Sequence, residues 1–137
     1  MLANAKIPVC VLPFALIAFA APVAAEDLDC ENAMTQLDMN RCAHQAYLLA
    51  DEDLNIAYGM AVDAARLMDE YLQDGEVPAV TMLRDAQRAW ITFRDKACEL
   101  ESTIVRGGSM QPLIYASCLE RETRARSESL RYFAEVN

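Results

Sequence analysis

The sequence predicts an all-α protein: a small antiparallel helical bundle of three long helices, with a short N-terminal helical turn and two disulfides. Three observations lead there. Apolar residues recur at steps of three and four. β-branched residues are sparse and do not alternate with polar ones. Turn-forming residues cluster at two places, Asp74-Gly75-Glu76-Val77-Pro78 and Gly107-Gly108-Ser109. Short turns between long helices make successive helices antiparallel neighbours.

The N-terminus reads as an export signal. Lys6 precedes a mainly apolar run from Ile7 to Ala20, and small residues follow through Ala24-Ala25. The run is shorter than the roughly 20 residues a membrane-spanning helix needs, and Pro8 and Pro13 interrupt it. Residues 1–25 are therefore expected to be a signal peptide and residues 26–137 the exported domain. No membrane span is expected after cleavage, and the protein is expected in the periplasm or outside the cell.

A short helical turn is expected over Cys30–Gln36. The first long helix should run from about Thr35 to Gln73. Tyr47, Ala50, Leu54, Ala57, Ala61, Ala65, Met68 and Leu72 form its apolar face, and Asp51, Glu52, Asp53, Asp63, Asp69 and Glu70 lie opposite. The second should run from Pro78, which suits a first helical turn, to about Val105. Its stripe of Leu83, Ala86, Trp90, Phe93, Ala97, Leu100 and Ile104 has the most regular helical spacing in the chain. The third should run from an N-cap at Ser109 to about Phe133, on a looser stripe of Ile114, Cys118, Leu119, Ala125, Leu130 and Phe133.

Loss of the signal removes Cys10 and leaves Cys30, Cys42, Cys98 and Cys118, an even set that suits an oxidising compartment. Cys98 and Cys118 are each ten residues from Gly108, so they sit at matching heights on adjacent antiparallel helices. Pairing Cys42 with Cys98 leaves a mismatch of about 18 Å along the helix axis, too far for a disulfide. The expected bridges are Cys98–Cys118 and, by elimination, Cys30–Cys42. No pair has zinc-like CxxC spacing and His44 is the only histidine, so no metal and no cofactor is expected.

Charge narrows the function. All 21 acids lie at or after Glu26, with 11 of the 12 bases. Residues 26–76 hold 13 acids against Arg41 and Arg66, while residues 77–137 are nearly balanced. Such a chain is a poor nucleic-acid binder, because phosphate binding needs clustered Lys and Arg. An acidic field favours cationic partners.

The residues also resemble a family. The matching pieces are Asp29-Cys30, Thr35-Gln36, Met39-Asn40-Arg41-Cys42-Ala43, Ala50-Asp51-Glu52-Asp53-Leu54-Asn55 and Tyr58. They continue with the run from Ala86 to Cys98, Gly107-Gly108-Ser109, Cys118-Leu119, Thr123, Arg124 and Leu130. Gln87-x-x-Trp90-x-x-x-Arg94-Asp95-x-x-Cys98 is the most specific element. The chain resembles the N-terminal-domain family of the lysozyme inhibitor LprI, found in bacterial envelope proteins. The resemblance implies a secreted, helical, disulfide-bonded domain and inhibition of lysozyme. It brings no catalytic residues. Asn40, Asp51, Leu54, Tyr58, Gln87, Trp90, Arg94, Asp95 and Arg124 stand as its structural motif.

Trp90 and Arg94, four apart on one helix, read best as a core anchor and an interhelical ion-pair partner of Asp51, Asp53 or Glu52. Gln87 reads as a partner for a helix-backbone or side-chain polar group. Two features are candidate partner-binding sites: the Asp51-Glu52-Asp53 cluster, as an acidic face, and Gly107-Gly108-Ser109, as a loop entering an enzyme cleft. No nucleophile–base or phosphate-loop motif is present in the sequence, so no catalytic residue and no enzyme activity is expected. The function expected is a binding protein that blocks a cationic lysozyme, the alternative being a periplasmic structural or adaptor module that engages another envelope protein.

Overall fold

The computed structural model describes residues 28–136. The signal expectation for residues 1–25 lies outside them. Among the described residues there are three long helices and no strand: α1 (Gln36–Asp69), α2 (Ala79–Ser102) and α3 (Gln111–Glu135), with a single 3₁₀ turn (Thr103–Val105) after α2. No described helix is long and apolar enough to cross a membrane.

The local chemistry explains each boundary. Thr35 caps α1: its hydroxyl accepts the Asp38 N–H at 3.1 Å and donates to the Asp38 carboxylate at 2.6 Å, a reciprocal pair across the first turn. At the far end, the Asp69 carboxylate accepts the N–H groups of Ala79 (2.6 Å) and Val80 (3.2 Å). Pro78, the N-cap residue of α2, makes no side-chain cap bond, so the last residue of α1 caps α2 instead. This places a carboxylate on the positive end of the α2 dipole. The long helix therefore stops at Asp69 rather than continuing to Gln73. Gly75, with φ +89°, turns the chain.

Two starting points differ from expectation. Residues 30–35 form bends rather than a helical turn, because the Asp29 carboxylate accepts the N–H groups of Glu31 and Asn32 and the side-chain amide of Asn32. Ser109 does not cap α3. Met110 occupies that position without a side-chain bond, and the Ser109 carbonyl instead accepts from the Asn40 amide at 3.0 Å.

α2 returns antiparallel to α1, and α3 runs back alongside α1 in its most extensive packing. The buried face of α1 is mostly alanine, including Ala50, Ala57, Ala61 and Ala65 around Leu54. Small side chains let the helices approach closely. Leu54, Ala57, Ala61 and Leu130 form the centre, with Tyr58, Leu83, Trp90 and Phe133 against it. Cys98, Cys118 and Leu119 form a second cluster with Tyr47 and Tyr115. The expected disulfides both form, Cys30–Cys42 and Cys98–Cys118, with Cα separations of 5.6 Å and 5.4 Å. Each stabilises by about 2–4 kcal/mol.

The apolar stripe of α2 is where the structure departs most from expectation. Phe93, Leu100 and Ile104 are 63%, 72% and 74% exposed, and Ala86 is exposed too. The buried face is Gln87, Arg94, Cys98 and Ser102. The disulfide explains it. Cys98 must face α3, and Leu100 lies about 200° around the helix from it. Met68 near the end of α1 is exposed, and so is Leu72, which lies beyond the helix. On α3, Ala125 is exposed while Thr123 and Ser127 are buried. The Ser127 hydroxyl donates to the Thr123 carbonyl at 3.0 Å, which satisfies it without water.

Candidate functional site

The polar centre of the bundle is built around Arg94. Its guanidinium is buried, 6% exposed, and the backbone of α2 aims it between α1 and α3. Nε and Nη2 both reach Asp95 Oδ1 at 2.9 Å. Nη1 lies 3.5 Å from Asp51 Oδ1 and donates to the Thr123 hydroxyl at 3.3 Å. The guanidinium carbon sits 5.1 Å from the Trp90 ring centre and 5.5 Å from that of Tyr47. Charge and aromatic faces are thus satisfied from all three helices. Of the three acids named as alternative partners, Asp51 is the one beside Arg94, while Asp53 pairs with Arg131.

Gln87 behaves as expected of a polar partner. Its side-chain oxygen accepts from Arg126 Nε at 2.9 Å. Arg126 also lies 6.0 Å over the Trp90 ring, so two guanidinium groups flank one indole. Burial pushes the Arg126 pKa down. The Tyr115 phenol is pushed up, first by burial and then by the negative charges of Asp95 and Glu99.

The Asp51-Glu52-Asp53 run does not act as one patch. Asp51 faces Arg94. Asp53 makes a two-pronged pair with Arg131 of α3, at 2.6 Å and 3.1 Å. Glu52 projects to solvent. Consecutive helical residues splay by about 100°, and the bundle assigns each a different neighbour.

Gly107-Gly108-Ser109 is exposed yet tightly held. Gly107 has φ +76°, and its N–H donates to Gln111 Oε1 at 2.9 Å. The Gly108 N–H donates to the Val105 carbonyl at 2.9 Å. Asn40, itself accepting from Gln36 at 2.9 Å, fastens this turn to α1. Beside it opens a cavity of about 530 Å³ lined by Glu99, Ser102, Gly107, Gly108, Pro112 and Tyr115, among others. Asn40 and Glu52 are 12 residues apart on α1, about 18 Å of helix axis. The two candidate partner sites are therefore separate surfaces.

Of the remaining motif residues, Leu54 and Tyr58 belong to the core. Arg124 makes only a surface pair with Glu120 at 2.9 Å. The sequence does not single out Arg131 or Arg126, and it places Asp69 on the polar face of α1 without its capping role. For Asp69 a signal existed, an acid shortly before the helix-starting Pro78. For Arg131 none did, since its partner lies 78 residues away. Among the described residues, no group of three or more His, Cys, Asp or Glu side chains is placed to hold a metal ion.

The profile of the lysozyme inhibitor LprI family matches residues 29–130. The chain belongs to the lysozyme inhibitor LprI family. Two relatives extend the match. An uncharacterized protein of Rhizobium meliloti (strain 1021) is 40% identical over 125 residues, covering 88% of this chain and 90% of the relative. The uncharacterized protein YecT of Escherichia coli (strain K12) is 31% identical over 121 residues, covering 77% of this chain and 71% of that protein. The crystal structure of a DUF1311 family protein from Pseudomonas putida KT2440 superposes with a TM-score of 0.63 at 23% identity, covering 75% of this chain and 97% of that one. That likeness concerns the fold. The run from Gln87 to Cys98, by which the sequence resembles the LprI family, supplies the polar centre of the bundle.

Proposed function

We propose that this LprI-family chain is an exported, non-catalytic protein that inhibits a cationic lysozyme by covering its cleft. The family match over residues 29–130 carries the reading. Two further features support it. The region from Glu26 onward has 21 acids and 11 bases, which draws a basic enzyme by long-range attraction. Both disulfides suit an oxidising compartment outside the cytoplasm.

Binding on this reading is by surface contact. Arg94, Trp90 and Gln87 are committed to one another and to α1 and α3, so they hold the scaffold and other residues meet the enzyme. A turbidity assay tests the function: lysozyme clearing of a cell-wall suspension, with and without the purified disulfide-bonded protein. Slowed clearing at stoichiometric protein is the expected result. Unchanged clearing at large molar excess defeats this reading and favours an adaptor module for another envelope protein.

A further inference from the structure

We propose that the tip joining α1 to α2 is the docking surface for the basic enzyme, with Tyr71 as its anchor. The inference rests on the inhibitor reading above and names the surface that reading leaves open. Neither partner site expected from the sequence includes it.

Residues 70–78 are all exposed. Tyr71 is 80% exposed, and Met68, Leu72, Val77 and Met82 are exposed around it. These apolar side chains, with Glu76 among them, line an open cleft of about 380 Å³. An aromatic beside a contiguous apolar surface marks a contact site, and tyrosine is among the residues that carry most interface energy.

Charge selects the occupant. Residues 63–85 hold Asp63, Asp69, Glu70, Asp74, Glu76 and Asp85 against Arg66 and Arg84. Arg66 and Asp63 pair with each other, which leaves five acids against Arg84. Asp69 and Glu76 line the cleft and Glu70 and Asp74 are exposed in the same tip, an acidic setting complementary to a surface rich in Lys and Arg. The exposed stripe of α2 lacks this bias, because acids and bases are mixed along it.

The tip is also held in one shape. Asp69 fastens the start of α2. The Gln73 N–H donates to the Glu76 carboxylate at 3.0 Å, and the Glu76 N–H donates to the Gln73 carbonyl at 3.1 Å. A preformed loop loses little conformational entropy on binding. It projects from the end of the bundle opposite the Asn40–Ser109 contact, the shape needed to enter a cleft.

The test uses the full disulfide-bonded protein and a basic egg-white lysozyme. Tyr71→Ser should weaken inhibition about tenfold or more. Glu70→Gln with Asp74→Asn should weaken it several-fold and flatten its salt dependence. Phe93→Ser, which removes an exposed aromatic elsewhere, should leave it unchanged. Circular dichroism confirms that the helices persist. If the unaltered protein inhibits and Tyr71→Ser inhibits equally, the tip is not the docking surface and the inhibitor reading stands. If the unaltered protein does not inhibit, both fall together. If light scattering shows a dimer that Tyr71→Ser dissolves, the surface receives a second copy of this chain and the proposal is overturned.

Discussion

At the scale of single residues, Arg94 is the side chain with most at stake. Its replacement by alanine leaves Asp95, Asp51 and the Thr123 hydroxyl without their donor and opens space between two aromatic rings. The two carboxylates keep partial solvent contact, 40% and 41%, so they rehydrate and the loss is limited to about 1–3 kcal/mol. Urea titration should show a lower midpoint with an unchanged slope. Arg94→Lys should not restore it, because an ammonium cannot span three partners as a planar fork does. Asp69→Ala should cost about 1 kcal/mol, and hydrogen exchange should quicken at Ala79 and Val80 first. Tyr115 supplies a pH signature. Its folded pKa is raised, so its contribution to stability is intact below the ordinary phenol pKa near 10 and is lost as pH rises through the higher folded value. Ultraviolet titration should show a late phenolate component that is absent in Tyr115→Phe.

At the scale of elements, α2 shows why regular spacing can mislead. Leu83, Ala86, Trp90, Phe93, Ala97, Leu100 and Ile104 keep helical rhythm; Leu83 and Trp90 do pack against the core, but Phe93, Leu100 and Ile104 face solvent. The same sequence held the correction. Cys98 and Leu100 cannot both face the core, and a covalent bridge outranks exposed apolar area. Phe93→Ser should therefore change stability by no more than about 0.5 kcal/mol, as surface substitutions do, where a core phenylalanine would cost about 3–5 kcal/mol. Replacing Cys98 and Cys118 together by alanine should lower stability by about 2–4 kcal/mol, read as an earlier thermal midpoint than the parent. α1 and α3 were more legible, because their buried alanines, Leu54, Leu119 and Leu130 do lie in the core. The polar members of the α3 face, Thr123 and Ser127, were hidden because no apolar pattern marks them.

At the scale of the whole molecule, an acidic total becomes a distribution. Asp51 and Asp53, in the middle of α1, pair with Arg94 and Arg131 while their side chains stay 41% and 44% exposed, and Asp69 at the end of α1 caps α2. Outside these contacts, acids lie at both ends of α1, with Asp29, Glu31 and Asp38 at its start and Glu70, Asp74 and Glu76 at the α1–α2 tip. The salt dependence of inhibition should follow, weakening between low salt and 0.1 M, where the screening length falls to about 10 Å. The three helices, the two turns, both disulfides and the polar run that marks the family are legible in the amino-acid order. Those depend on spacing within one helix or on matched distances from one turn, which are local. The rotation of α2 about its own axis, the choice of Arg131 as the partner of Asp53 and the capping of α2 by Asp69 emerge only when the helices pack. Each of these is a choice among partners distant along the chain, and it is settled by packing three helices at once.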